Sequence, residues 1–250
     1  MTKDQAVTLV VSWLDELEHL DRRSAEALPP CRYVVTPNLD HAVLLLNDKA
    51  LRQAYSEAAL VLADGMPLVW ASQLFQRPLP ERVTGSDLAP EVLGAAREGT
   101  KVFFLGASEA SSKKAVENVA LQFPGIEVVG RLSPPFGFEN SPEWSQKIAE
   151  QIAESKAQLV VVGLGAPKQE IWVHKHQHAM RGTVVLCVGA TIDFLAGSVK
   201  RAPAWAQKSG VEWIHRLLSD PRRLARRYGK DALYVPRLLF RDWSFSRRGS

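Results

Sequence analysis

Six short, continuous apolar segments alternate with longer helical patterns along most of this 250-residue chain, and this alternation restricts the fold more than any other feature. Segments of this kind have no polar face, so they fit strands that are buried on both sides. They begin at residues 31, 59, 101, 126, 158 and 183, and they read CRYVVTP, ALVLADG, KVFFLGA, IEVVGRL, QLVVVGLGA and TVVLCVGA. We therefore predict an α/β fold, with a Rossmann-like, mostly parallel sheet and helices on both faces.

The alternation stops near residue 195, and this divides the chain into two predicted parts. Residues 1–199 are predicted to form a Rossmann-like core that opens with an amphipathic helix. Residues 200–250 are predicted to form a basic, aromatic, helical C-terminal appendage. The appendage holds 13 Lys/Arg and 4 Asp/Glu, a net charge of +9, whereas residues 1–199 hold 18 and 23, a net charge of −5. Such a segment suits nucleic acid, an anionic membrane surface or a diphosphate ligand, and charge alone does not choose among them.

Composition also bears on where the chain works. With 46% apolar residues it can bury a sizeable core. No apolar run approaches the roughly 18 to 20 residues that span a bilayer, and the first residues carry acids where a signal peptide is apolar. We therefore expect a cytoplasmic protein. The two cysteines, Cys31 and Cys187, fall in strand-like runs without metal-ligand spacing, which predicts buried free thiols.

Residues with chemical potential follow most of the predicted strands. Ligands of open parallel sheets bind beyond the carboxyl ends of the strands, so these positions form the candidate site. They are Thr36, Asn38, Asp64, Gly65, Gly106, Gly163, Gly165, Gly189 and Asp193. From its spacing alone, Asp64 is compatible with a helix cap, a ribose ligand, a metal ligand or a general base, and also with a turn residue before Gly65, which is a common structural role.

The segment VGLGAPKQE, residues 162–170, resembles half of a dinucleotide-binding loop. Its third glycine is missing and Pro167 is typical of a helix start, which favours an ordinary tight turn over a phosphate contact. Lys168, Gln169 and Glu170 would then lie near the strand ends, where Gln169 can hydrogen-bond a sugar or a phosphate. An NAD-binding Rossmann protein stays as an alternative, but the incomplete pattern leads us to expect no cofactor.

Metal ligands are sparse in the sequence. In HKHQH, residues 174–178, His174 and His178 share a predicted helix face while His176 points away, and no HExxH motif completes a zinc site. We interpret this run as a solvated helix face. No Asp-x-Asp pair exists to bind a divalent ion, so we expect no metal. Downstream of Asp64, GSDL predicts a helix start with Ser86 or Asp87 as its cap.

If a ligand of this site releases a diphosphate in the reaction, the charge of that leaving group must be stabilised. Without a metal ion, arginines suit this task because they bind phosphate in a bidentate manner. The appendage offers several at helical spacing: Arg216, Arg222, Arg223, Arg226 and Arg227. Aromatic residues run through the same segment. The alternative is a solvated or membrane-facing basic helix, since an apolar face beside a basic one is typical of helices in a membrane interface.

Six segments in order resemble one family of bacterial glycosyltransferases, the WecG/TagA/CpsF family. They are TPNLDH, ADGMPLVWAS, PERVTGSDL, VGLGAPKQE, VGATIDFLAGSVKRAPAW and GVEWIHRLLSDPRRLARRY, and they cover about residues 31 to 230. Family members transfer a sugar from a UDP-sugar to a polyprenyl-diphosphate-linked saccharide, with inversion and without a required metal. The resemblance thus implies an inverting, metal-independent glycosyltransferase of cell-surface polysaccharide synthesis. From the charge and the aromatic residues of the appendage, we expect the protein to be peripheral on the inner membrane leaflet.

The resemblance also implies roles for individual residues. Asp64 would be the catalytic base, with Thr36 and Asn38 beside the reacting centre. Gln169 and Asp193 would lie in the donor pocket, and Arg216, Arg223 and Arg226 would close over the donor diphosphate. From their positions at the strand ends, Gly65, Gly106, Gly163 and Gly165 are predicted to bind substrate as well. The donor sugar, the acceptor saccharide and the oligomeric state are open, a homo-oligomer being one option. A non-catalytic nucleic-acid-binding protein is the rival from another class, but no recognition motif supports it and we expect no nucleic-acid partner.

Overall fold

In the computed structural model, which describes residues 1–18, 20, 28–199 and 202–203, all six predicted strands form one parallel sheet. The strands are β1 (Arg32–Val35), β2 (Leu60–Val61), β3 (Thr100–Gly106), β4 (Ile126–Leu132), β5 (Leu159–Gly163) and β6 (Val184–Cys187). Their order across the sheet is β2-β1-β6-β5-β3-β4. The α/β fold predicted from the sequence is therefore confirmed, and the carboxyl ends of all six strands meet at one edge.

Helices connect the strands on both faces. They are α1 (Lys3–Glu18), α2 (Leu39–Asn47), α3 (Lys49–Ser56), α4 (Met66–Leu74), α5 (Gly85–Ala95), α6 (Glu109–Gln122), α7 (Pro142–Glu154), α8 (Lys168–His176) and α9 (Thr191–Leu195), with a short 3-10 helix at Phe138–Asn140. The appendage predicted for residues 200–250 lies almost wholly outside the described residues.

Alternate residues of each strand point to opposite faces, so the sheet builds two apolar cores. On one face Val34, Phe104 and Val161 pack with α1, α5, α6 and α9. On the other face Tyr33, Phe103 and Val160 pack with α7 and α8. These cores fix the strands against sliding, and they thereby fix which residues emerge at the carboxyl edge.

Two local predictions need correction, and a third is confirmed. One of the helical patterns that separate the predicted strands covers residues 41–58, HAVLLLNDKALRQAYSEA, and predicts a single helix. Asp48, however, adopts an extended conformation and its side chain accepts from Leu51 N at 2.9 Å, which ends α2 and caps α3. Downstream of Asp64, the cap of α5 is Thr84, whose hydroxyl oxygen accepts from Asp87 N at 3.0 Å. Both cysteines are buried and free, as predicted.

Candidate active site

The carboxyl ends of β1 and β2 bring Asp64 beside Thr36 and Asn38, as the sequence predicts. The ladder between the two strands continues past their ends, because Leu62 N donates to Val35 O at 3.0 Å and Asp64 N donates to Pro37 O at 2.8 Å. Asp64 therefore lies alongside the Thr36–Asn38 segment, and its side chain is partly buried. We call Thr36, Asn38, Asp64 and Gly65 the Asp64 side of the carboxyl edge.

The side chain of Asn38 caps a helix with its oxygen, and its amide nitrogen is unused among the described residues. Its side-chain oxygen caps α2 by accepting from Asp40 N at 3.1 Å and His41 N at 3.4 Å. A β-carbon added to Gly65 would lie 3.5 Å from the Asn38 β-carbon, so Asn38 also borders the start of α4. Within the described part of the chain, Asn38 Nδ2 makes no hydrogen bond, which leaves two N–H donors beside Asp64.

Thr36 is almost completely buried, and its hydroxyl donates to Cys187 O at 3.2 Å. This bond extends the pairing of β1 with β6 by one residue beyond Val35 and Cys187. The Thr36 hydroxyl uses its proton in this bond with the carbonyl, whereas its oxygen can still accept a hydrogen bond from another group. Thr36 therefore fixes the position of the strand end that carries Asn38.

A tyrosine and a histidine that sequence reasoning missed lie behind Asp64. The Tyr55 hydroxyl lies 2.5 Å from His41 Nδ1, which joins α3 to α2. Burial raises the pKa of Tyr55 well above its ordinary value, and the charges of Glu170, Cys187, Asp40 and Asp64 raise it further. The phenol is therefore protonated at neutral pH. No local sequence pattern points to Tyr55, because its neighbours come from other elements.

Gln169 and four glycines make up the other half of this edge, which we call the Gln169 side: Gly106, Gly163, Gly165, Gln169 and Gly189. Gln169 is 2% exposed. Its side-chain oxygen accepts from both Gly165 N and Gly189 N at 3.2 Å, and its Nε2 donates to Glu170 Oε1 at 2.8 Å. The N–H groups of these two glycines thus bond inside the protein, as in the tight turn that the sequence favours.

Glu170 extends this buried group towards the Asp64 side. It is fully buried, and its Oε1 lies 3.8 Å from His41 Nδ1. Glu170 belongs to α8 and His41 to α2, the helix that Asn38 caps. A continuous set of polar side chains, Tyr55, His41, Glu170 and Gln169, therefore runs beneath both halves of the carboxyl edge.

Gly106 and Gly163 allow neighbouring strand ends to approach closely. Gly106 has φ of +112°, and a β-carbon there would lie 2.5 Å from Gly163 O. A β-carbon on Gly163 would lie 2.8 Å from Gly189 O. Packing accounts for both glycines, and their contact with a substrate stays a prediction.

The remaining predicted ligands are Asp193 and three arginines. Asp193 lies in the first turn of α9, is partly buried, and accepts from Ser198 N at 3.0 Å through its backbone oxygen. Because α9 follows β6, Asp193 belongs to the same edge of the sheet. Arg216, Arg223 and Arg226 lie outside the described residues.

The structure adds Arg82 to the neighbourhood of Asp64. Val83 N donates to Ala63 O at 2.9 Å, which aligns the segment preceding α5 with the residues that lead to Asp64. Arg82 is partly buried there. Sequence reasoning missed it because it precedes no strand and follows none, although it lies within the quoted PERVTGSDL segment.

The histidine run is not the solvated helix face that the sequence predicts. Helix α8 ends at His176, so His178 lies outside it. His176 is buried against Trp172, with 5.1 Å between ring centroids, and burial, with the Lys175 charge, lowers the pKa of His176. His174 Nδ1 lies 3.3 Å from the Tyr33 hydroxyl. Among the described residues, no group of three or more His, Cys, Asp or Glu side chains is arranged to hold a metal ion.

Lys168, at the start of α8, lies near the strand ends as predicted. Its ammonium is 2.8 Å from Glu139 Oε1 and 4.0 Å from the centroid of the Phe136 ring. Phe136 is almost fully exposed, whereas Phe138 packs against Trp172. Residues 134–138, PPFGF, which follow β4, therefore form a surface loop that contacts α8 through Phe136 and Phe138.

Among the described helices, none has both the length and the apolar composition that crossing a membrane requires.

Comparisons with known proteins identify the family of this chain. The chain is 33% identical over 224 residues to the N-acetylglucosaminyldiphosphoundecaprenol N-acetyl-beta-D-mannosaminyltransferase of Bacillus spizizenii, covering 89% of this chain and 82% of the relative. The proteins of that name from Bacillus subtilis and Staphylococcus aureus are 29% and 30% identical, covering 87% and 78% of this chain and 81% and 74% of the relatives. The profile of the Glycosyl transferase WecG/TagA/CpsF family matches residues 4–249. The chain is thus a glycosyltransferase that transfers hexose-type sugars, and it belongs to the WecG/TagA/CpsF family.

Proposed function

We propose that this chain transfers a sugar from a UDP-sugar to a polyprenyl-diphosphate-linked saccharide, with inversion and without a metal ion, in the synthesis of a cell-surface polysaccharide. The relatives are named for transfer of N-acetylmannosamine to N-acetylglucosaminyldiphosphoundecaprenol, and we extend that donor sugar and that acceptor to this chain. The observation that carries the proposal is the position of Asp64, hydrogen-bonded through its backbone beside Thr36 and Asn38 at the carboxyl edge.

In the proposed reaction, Asp64 accepts the proton of the acceptor hydroxyl as the hydroxyl oxygen attacks the anomeric carbon. The bond from that carbon to the UDP oxygen breaks, and UDP leaves with the electron pair. A free aspartate has a pKa of about 3.9 and is a weak base at neutral pH, so proton transfer accompanies bond formation rather than preceding it. The single displacement inverts the configuration at the anomeric carbon.

Asn38 suits a supporting role in this step. Because its oxygen is used by α2, its amide N–H groups can donate to a substrate oxygen while Asp64 accepts a proton. A donor and an acceptor side by side would hold a sugar hydroxyl in one orientation, which lowers the entropic cost of reaching the transition state.

The largest expected effect is that of Asp64→Asn, which keeps the shape of the side chain and removes the base. We expect transfer to fall by roughly 10² to 10⁴ while the protein stays folded. The measurement is UDP release with chelator present, across a panel of UDP-sugars, each with and without a polyprenyl-diphosphate-N-acetylglucosamine acceptor. Wild-type turnover by the variant would contradict the assignment of the base, and loss of wild-type activity in chelator would contradict the absence of a metal.

We further propose that the appendage, residues 200–250, docks on the anionic inner leaflet and supplies Arg216, Arg223 and Arg226 to the donor diphosphate. The support is its net charge of +9 and its aromatic residues. Each basic residue near such a surface contributes about 1 kcal/mol of binding.

A pair of matched variants separates the two roles of the appendage. Arg223→Ala with Arg226→Ala should lower kcat/KM for the donor by about a hundredfold, because charge-assisted contacts to the diphosphate are lost. Arg247→Ala with Arg248→Ala removes the same charge from the chain terminus. This second variant should weaken binding to anionic vesicles as much as the first variant does, with little effect on donor kinetics. Equal kinetics for the two variants would contradict the diphosphate role.

A further inference from the structure

Helix α4, which begins two residues after Asp64, has the composition of a buried helix but is largely uncovered. No charged side chain occurs between Asp64 and Arg77. Uncharged, apolar helices are normally buried. Of the nine residues of α4, however, only Val69 is buried, while Trp70 is 49% and Leu74 is 68% exposed. Among the described helices and strands, none packs extensively against α4.

The two exposed side chains form one apolar stripe. Trp70 and Leu74 are four residues apart, so they lie on the same side of the helix, one turn after the other. At a rise of 1.5 Å per residue they lie about 6 and 12 Å along the axis from Met66. The stripe therefore leads away from the candidate site, beginning close to the proposed base.

From these positions we infer that the Trp70–Leu74 stripe binds the polyprenyl chain of the acceptor. The inference rests on the proposed function, since it needs a lipid-linked acceptor whose reacting hydroxyl lies at Asp64. In such an acceptor a pyranose ring and a diphosphate separate that hydroxyl from the first isoprene unit. This span places the chain beyond the start of α4, where the exposed apolar side chains lie. Gly65, which borders Asn38, makes the site and the stripe continuous.

The composition of α4 favours an isoprenoid chain over the bilayer surface as its ligand. Helices that lie in a membrane interface carry Lys and Arg on their polar face. Residues 65–76 have none, and they present Gln73 and Ser72 instead. An uncharged aromatic and aliphatic stripe matches an uncharged hydrocarbon chain.

The test compares two acceptors, both N-acetylglucosamine diphosphate esters: a short, water-soluble acceptor whose alkyl group contains no isoprene unit, and the undecaprenyl acceptor in detergent. Trp70→Ser with Leu74→Ser should lower kcat/KM for the undecaprenyl acceptor about tenfold, mainly through KM. The reason is that the variant buries less apolar area against the polyprenyl chain. Kinetics with the short acceptor should not change. Leu74→Ser alone, further from Asp64, should give a smaller loss of the same kind.

Leu121→Ser is the matched control, because Leu121 is 81% exposed near the end of α6, at the opposite edge of the sheet. This variant should transfer to both acceptors with the kinetics of the wild-type protein. A parallel loss with both acceptors would overturn the inference and show that α4 supports the site or is covered by another part of the chain. A change in the oligomeric state of the double variant would show instead that a second copy of the chain covers the Trp70–Leu74 stripe. Weaker vesicle binding without a change in chain-length preference would identify the bilayer.

The same assay separates this inference from the proposed function. Transfer by the wild-type protein to the short acceptor tests the function without involving the stripe. If that transfer occurs and the double variant keeps its chain-length preference, only the inference fails. If the wild-type protein transfers to neither acceptor, the proposed function fails and the inference falls with it.

Discussion

The two halves of the carboxyl edge use their polar groups in opposite ways. On the Asp64 side, backbone hydrogen bonds fix the position of Asp64, and the oxygen of Asn38 caps a helix while its amide nitrogen makes no hydrogen bond within the described part of the chain. On the Gln169 side, Gln169 bonds to two loop N–H groups and to Glu170. The side-chain amide of Asn38 therefore keeps two N–H donors that make no bond within the described residues, whereas the side-chain amide of Gln169 bonds inside the protein. Residue type and strand position alone do not distinguish the two.

Replacing Gln169 is the strongest way to break this comparison. Gln169→Leu keeps the volume but removes the oxygen that accepts from the N–H groups of Gly165 and Gly189 and the amide that donates to the buried Glu170. Each buried unsatisfied group costs about 1 to 3 kcal/mol, so we expect the free energy of unfolding to fall by about 3 to 5 kcal/mol. Chemical denaturation measures it. A folded, equally stable variant that had lost only donor affinity would show instead that Gln169 serves the substrate.

The two sides also differ in their glycines, and a matched pair of alanine substitutions sharpens the contrast. At Gly106 a β-carbon would lie 2.5 Å from Gly163 O, on a backbone with φ of +112°, so Gly106→Ala should cost about 2 to 4 kcal/mol. At Gly65 the nearest atom would be 3.5 Å away, an ordinary contact, and Gly65→Ala should cost at most about 1 kcal/mol. Equal losses in unfolding free energy would contradict the packing explanation for Gly106.

The contrast also explains what the sequence could and could not predict. Six continuous apolar segments specify the strands of a parallel sheet, although the edge strands β2 and β4 are mostly not buried, and the position of Asp64 follows from the rule that ligands bind beyond strand ends. The break at Asp48 was missed because apolar spacing continues across it, and Thr84 was missed because Ser86 and Asp87 are equally good caps. The burial of His176 results from tertiary packing against Trp172, which the local sequence pattern does not predict.

The network beneath the edge is of a different kind. Tyr55, His41 and Glu170 come from three helices, and only the folded chain brings them together. Their residue types carry no signal for it in sequence order, since a tyrosine and a histidine fourteen positions apart on one continuous helix would lie about 21 Å apart along its axis. Sequence reasoning therefore finds residues whose role depends on strand position, and it misses those whose role depends on contacts between elements.

The smallest expected effect on stability belongs to Asn38, where one substitution separates capping from chemistry. Asn38→Asp keeps an oxygen that can accept from Asp40 N and His41 N, so unfolding free energy should change by less than about 0.5 kcal/mol. The variant loses the amide donor and places a second carboxylate beside Asp64 and the donor diphosphate. We expect kcat/KM to fall about ten- to a hundredfold, the loss of a hydrogen bond to a charged group.

Asn38→Ala provides the control for this prediction, because it removes both the cap and the donor. It should lower unfolding free energy by about 1 kcal/mol and lower activity as well. If the aspartate variant kept full activity while the alanine variant lost it, Asn38 would act only by fixing the start of α2. The Asp64 side would then resemble the Gln169 side, with Asp64 as its single reactive group. If both variants lost activity and only the alanine variant lost stability, the amide would be part of the chemistry.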